Sequence, residues 1–252
     1  MADEDRILIK HLRDLEQRSY SRNIYTYSGF LSMPEQDLFL KNQSEFKLIR
    51  HSLFGGSELS ERKIVVFGSV DELGYAPEYP VKILKVTPVN EKFAEDLNHR
   101  DYLGALMNLG IERSLLGDIV VKGKTAYIYC LDSILEFIIE NLTRIRHTSV
   151  KCEEVSADVP ELAPTLVETT VNVASERIDS IVSSMAGMSR SHIDVLFKEG
   201  KVFLNGKVNE SMSTRLKTGD VLTVRGFGKA IYGGIAGNTR KGRLAVSLKV
   251  YR

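Results

Sequence analysis

Ser189-Arg190-Ser191-His192, followed closely by Lys198, Lys201, Asn205 and Lys207, gathers hydroxyls, an imidazole and several cations in one short stretch. Two chemistries could use such a set. A serine beside a histidine can act as nucleophile and base, but that arrangement needs a carboxylate to orient the imidazole and a sharp strand-to-helix turn to expose the serine. The sequence around Ser189 supplies neither. The other chemistry is anion binding. Ser189 and Arg190 fall where a short helix must begin, and its free N–H groups and dipole favour a phosphate. Cations placed around such a point would neutralise phosphates and make binding strongly dependent on salt.

Other combinations of reactive residues lack their context. His99-Arg100-Asp101 matches a kinase catalytic triplet, yet no glycine-rich phosphate loop precedes it and no Asp-Phe-Gly follows. It is expected to lie on a helix packed through Tyr102, Leu103, Leu106 and Leu109, with Arg100 and Asp101 exposed or paired with Arg113 or Asp118 in a structural role; RNA contact by Arg100 and Arg113 is the alternative. Gly226-Phe227-Gly228 and Gly233-Gly234 have no strand-loop-helix setting for a nucleotide and read as turns. Cys130 and Cys152 are too few to imply a disulfide framework, and no His/Cys spacing matches a zinc site. No metal, no small-molecule cofactor and no catalytic residue are expected. Asn238-Thr239-Arg240-Lys241-Gly242-Arg243 is different, because three cations on a hairpin tip suit a phosphate-contacting loop.

Charge supports the anion reading at longer range. Residues 171–252 hold 14 Lys/Arg against 6 Asp/Glu, whereas residues 1–170 hold 20 against 27. An acidic body thus carries a basic carboxy-terminal third, and that end is expected to meet a polyanion. No apolar run approaches the roughly 20 residues of a membrane span. The beginning, MADEDRILIKHLRD, has no secretory h-region, so a cytoplasmic protein with no membrane partner is expected.

The elements that must position these residues fall into an α+β pattern. Residues 1–80 read as an α/β segment, opening with a helix through Ile7, Leu8, Leu12 and Leu15 and including an apolar strand at Ile64–Gly68. Residues 81–155 read as β-α-β-β-α-β, the ferredoxin-like order also used by RNA-recognition modules. There the helix is expected over 93–110, closed by Gly110, and a second helix over 132–145. Tyr127 and Tyr129 share one face of the third strand, where they could stack bases or pack beneath the first segment. Residues 156–170, with Pro160 and Pro164, read as a linker. Residues 171–252 read as two short helices on a small sheet. The first is capped by Ser175 and buries Ile178, Ile181, Val182 and Met185. The second is capped by Ser189 and ends at Gly200. A hairpin through Asn205-Gly206 and a strand after Gly219-Asp220 complete the unit. With the apolar stripes inward, the polar set left outside is Arg177, Ser189, Arg190, His192, Lys198, Lys201, Asn205 and Lys207. Arg240, Lys241 and Arg243 extend it.

Arg177-Ile178-Asp179, Ser189-Arg190, Gly200-Lys201-Val202-Phe203-Leu204-Asn205-Gly206 and Gly219-Asp220 stand in the order and spacing of an S4-type RNA-binding domain, which this region resembles. Asp194 and Phe203 depart from the pattern, where bases are common. The body, through Leu97–Val121 and the tail Ala236–Leu248, resembles the YlmH-like proteins of Gram-positive bacteria and cyanobacteria. That resemblance implies a non-enzymatic, monomeric RNA-binding factor of translation. Its partners would be rRNA and tRNA on the large ribosomal subunit holding peptidyl-tRNA, in ribosome-associated quality control. A pseudouridine-synthase-like RNA-modifying enzyme and a cell-division adaptor are the alternatives. Asp179 matches the tripeptide of such synthases but lies inside the S4-type helix, where a structural role is expected.

Overall fold

The computed structural model describes residues 3–162, 166–239 and 242–251, with the side chain of Arg190 outside the description. The chain forms two compact units, residues 1–163 and 164–252.

The first unit begins with α1 (Asp3–Arg22), whose inward stripe is Ile9, Leu12, Leu15, Glu16 and Ser19. The expected stripe needs one correction, because Ile7 is 68% exposed. Next come β1 (Thr26–Tyr27), α2 (Met33–Lys41), β2 (His51–Phe54), β3 (Ile64–Phe67) and a short α3 (Val70–Leu73). Pro34 at the start of α2 and a reciprocal Ser32–Glu35 capping box set that helix's entry. β3 is buried along its whole length at the centre of a three-stranded antiparallel sheet, β1-β3-β2.

β4 (Val81–Pro88), α4 (His99–Asn108), β5 (Leu116–Lys122), β6 (Thr125–Leu131), α5 (Leu135–Asn141), β7 (Arg144–Ile145) and β8 (Thr148–Val155) follow. Their sheet runs β5-β6-β4-β8-β7, all antiparallel. Two helix limits differ from expectation. Asn98 and Asp101 form a capping box that starts α4 at His99, leaving only a 3-10 turn at Glu91–Phe93. The second helix ends at Asn141, and Arg144–Ile145 turns back to pair with β8. Neither Asp132 nor Ser133 caps it, since both lie in a 3-10 turn ahead of the helix.

Alternation on this sheet decides what each face touches. Leu84, Val86, Ala126, Ile128 and Cys130 face α4 and α5, packing with Tyr102, Leu106, Leu135 and Ile138. Ile83, Tyr127 and Tyr129 face the other way, in one cluster with Leu12, Phe30, Phe39, Phe46 and β3. The first 80 residues therefore share a core with the sheet that follows them. Burying Phe30, Phe39 and Phe67, each at most 1% exposed, stabilises that core by roughly 2–3 kcal/mol per ring.

The second unit contains β9 (Leu166–Val173), α6 (Ile178–Ala186), α7 (Arg190–Lys198), β10 (Val202–Leu204), β11 (Lys207–Val208), β12 (Val221–Val224), β13 (Gly228–Asn238) and β14 (Leu244–Tyr251). Part of the stretch read as linker is thus strand. β9 pairs with β14 along its full length and forms one edge of the sheet β11-β10-β12-β13-β14-β9. Its side chains are mostly exposed and polar, so periodicity gave no strand signal there. Ile178, Ile181, Val182, Ile193, Leu196 and Phe197 pack the two helices onto Leu222, Val224, Tyr232, Val246 and Leu248.

Candidate nucleic-acid interface

The start of α6 is fixed by an ion pair. Arg177, rather than Ser175, is the N-cap, and its guanidinium donates to both Asp179 oxygens at 3.2 and 3.0 Å. Asp179 is fully buried and also accepts from the Ser180 backbone N–H. A charge in that position requires such partners, which gives Asp179 a structural role. Arg177 remains half-exposed, and its backbone bridges to Arg215.

Ser189 is the N-cap of α7, but its hydroxyl makes no bond to the helix backbone. It meets Ser191 Oγ at 3.0 Å and His192 Nδ1 at 2.9 Å, with all three side chains exposed. Among the described residues no carboxylate is bonded to that imidazole, so nothing orients it as a base. The two thiols are equally poor nucleophiles. Burial pushes Cys130 up to about 12 and Cys152 up to about 11.

Along α7 and the hairpin after it, Lys198 pairs with Asp194 at 2.5 Å and Lys201 with Glu199 at 2.5 Å. Surface pairs of this kind are worth at most about 1 kcal/mol, so either lysine can exchange its carboxylate for a phosphate. Lys207 is exposed on β11. Asn205 and Gly206 both take positive φ, 52° and 81°, as a type I′ turn requires. The Asn205 side chain is occupied elsewhere, donating to Asp220 at 2.9 Å and accepting from the Val221 N–H at 2.8 Å. It locks the hairpin to β12. Phe203 is fully buried, which explains why a cation is absent there.

Two cations escaped the sequence reading. Arg225 is exposed and donates its backbone N–H to the Lys201 carbonyl at 2.9 Å, and exposed Arg215 bridges to Arg177. Both adjacencies come from long-range pairing that no local spacing signals. The cations do not form a single cluster. Lys201 and Arg225 lie where Val224 pairs with Gly228, and exposed Arg243 lies where Asn238 pairs with Leu244. These are opposite ends of β13, up to about 30 Å apart at strand rise. Arg243 lies at the end of the sheet where Leu244 pairs with Val173, four residues ahead of Arg177. Arg240 and Lys241 lie outside the described residues, as does the side chain of Arg190.

In the first unit, Tyr127 and Tyr129 are 1% and 3% exposed beneath the amino-terminal elements, and no base can reach them there. Arg113 and Asp118 are likewise structural. The Arg62 guanidinium donates to the Phe30, Arg113 and Leu116 carbonyls, while Asp118 accepts from the Glu61 and Arg62 N–H groups. Arg113 itself donates to the Leu116 and Gly117 carbonyls. Burial, with Arg62 nearby, pushes Arg113 down to about 10. Asp101 turns instead to Arg146, at 2.7 Å.

These features define a mixed α and β protein with several sheets, whose second unit presents cations outward. Residues 76–158 match the family model described as the putative RNA-binding domain in YlmH. The "Ribosome-associated protein quality control protein P2" of Bacillus subtilis is 29% identical over 204 residues, covering 77% of this chain and 76% of that protein. The solved structure of "Cell division protein ylmH" from Streptococcus pneumoniae is 20% identical, with a TM-score of 0.49, over 62% of this chain and 93% of that one. Over these spans the chain is similar to YlmH-like proteins. Among the described residues, no helix is long and apolar enough to cross a membrane.

Proposed function

We propose that this protein is a non-enzymatic RNA-binding factor that grips structured rRNA or tRNA on the large ribosomal subunit, with peptidyl-tRNA, in ribosome-associated quality control. In this reading residues 164–252 are an S4-type domain. The strand order β5-β6-β4-β8 supports reading the middle of the chain as ferredoxin-like, as in RNA-recognition modules. The observation that carries the reading is the line of outward cations on a rigid two-helix and sheet scaffold. Lys201, Lys207 and Arg225 stand toward one side, and Arg177, Arg215 and Arg243 toward the other. A span of up to about 30 Å suits phosphates on separate strands of a folded RNA better than one bound nucleotide. Arg190, Arg240 and Lys241 would add to the grip, as would the Ser189 and His192 donors at the start of α7. Asn205 contributes by holding the hairpin's shape. The relative's name and the family's putative RNA-binding domain support the choice of partner.

Sedimentation with fractionated ribosomal particles over a salt series tests this. The wild type should travel with the large subunit at low salt and dissociate steeply as salt rises. Lys201→Ala with Arg225→Ala should weaken the association at every salt and flatten its slope by about 2. A wild type that remains at the top of the gradient at low salt would overturn the reading. Conversion of uridine in a transcript by the purified protein would replace it with an enzymatic one.

A further inference from the structure

The region matched as a putative RNA-binding domain, residues 76–158, has its aromatic sheet face covered by the chain's own amino-terminal elements. If this region contacts RNA, it must use another surface. On the opposite, helical side a cleft of about 470 Å³ opens between α4 and the turn joining α5 to β7. That volume falls within the roughly 300–1,000 Å³ of ordinary ligand sites, enough for one nucleotide and too small for a duplex. Arg100 stands on one wall and Arg144 on the other, both exposed. Among the described residues neither has an acidic partner. The one carboxylate in the lining, Asp101, is already held by Arg146 at 2.7 Å and by the Asn98 N–H at 2.9 Å. Asn108, Asn141 and Thr143 add neutral hydrogen-bonding groups to the lining.

Three local choices run against stability and find their use in this cleft. Arg100 is a cation in the first turn of α4, the end where the helix dipole disfavours one. Gly104 sits in the middle of α4, where glycine is a poor helix former, and a Cβ there would touch nothing within 4 Å. Packing therefore does not demand the glycine, whereas an open cleft floor does. Arg146 holds a φ of 52°, a left-handed conformation unusual for an arginine.

We propose that this cleft is a second RNA-contacting site of the chain. Arg100 and Arg144 bind the phosphate of one unpaired nucleotide, whose sugar and base lie over Gly104. The proposal rests on the RNA-binding function inferred above. It adds a contact specific for unpaired RNA to a grip on folded RNA.

The test is fluorescence anisotropy of the full chain with two labelled RNAs, a stem-loop with an unpaired 3′ flank and the same stem-loop cut blunt. Wild-type protein should prefer the flanked RNA by about tenfold. Arg100→Ala with Arg144→Ala should erase that preference, leave blunt-stem affinity nearly intact and lower the salt slope for the flanked RNA by about 1 to 2. Gly104→Gln fills the cleft without altering charge and should erase the preference at a thermal midpoint no lower than the wild type's, which separates blocking from misfolding. Equal preference in the wild type and both variants would overturn the cleft as a site while leaving the RNA-binding function standing. No affinity of the wild type for either RNA would overturn both.

Discussion

Arg177 and Asp179 show how one short motif can carry two roles. The carboxylate is buried and satisfied at the first turn of α6, so it holds the helix start, and in the proposed function the part-exposed guanidinium that neutralises it offers its free edge to an anion. A part-buried histidine makes a different contribution. His51 lies edge-on to Phe39 and Phe67, and its Nδ1 is buried without a hydrogen-bond partner. Burial lowers its pKa, opposed by Glu16, and His99 is lowered in the same direction by burial and by Arg113. When a folded-state histidine is lowered, the unfolded chain binds the proton more readily. Stability is therefore fully present above about 6.5, the ordinary imidazole value, and is lost as pH falls below it. Urea midpoints measured from neutral pH downward should decline in the wild type. The decline should be shallower in His51→Gln. An unchanged slope in that variant would remove His51 from the account.

At the scale of elements, the amino-terminal segment is docked through close contacts as well as oily ones. A Cβ on Gly117 of β5 would stand 2.8 Å from both the Phe30 ring and the Tyr129 Cβ. Gly117→Ala should therefore destabilise the first unit by about 1–3 kcal/mol, as overpacking does, read as a lower thermal midpoint. Gly104→Ala on open α4 is the matched comparison and should stabilise by about 0.5–1 kcal/mol. If both substitutions shift the midpoint alike, the glycine contact is not what holds β5 to Phe30. The β10–β11 hairpin depends on a polar lock instead, with Asn205 and Asp220 tying its turn to β12.

At the scale of the whole molecule, charge and core divide together. The cores of the two units share no residue, and the net charge of −7 over residues 1–170 opposes +8 over residues 171–252. The basic unit has its own apolar core and should fold alone. Expressed as residues 164–252, it should melt cooperatively and bind a stem-loop RNA with a salt slope close to that of the full chain. A folded fragment with no affinity at low salt would move the principal grip out of this unit.

The sequence by itself determined the local and the chemical. A short apolar run marked β3, and period-2 and period-3.6 patterns marked β4, β6, α6 and α7. Asn-Gly and Gly-Asp marked turns, and the flip in charge marked the basic end. It left the fate of Tyr127 and Tyr129 open, because alternation tells which side chains share a face and not what covers it. Only the tertiary structure placed α1 and β3 over those rings. It also joined β9 to β14, whose polar exposed edge carries no hydrophobic period. Finally, it separated Arg243 from Lys201 along β13 while bringing Arg215 to Arg177 and Arg225 to Lys201. Such proximities are set by strand register between residues far apart in the chain, and register is decided by the packed core as a whole.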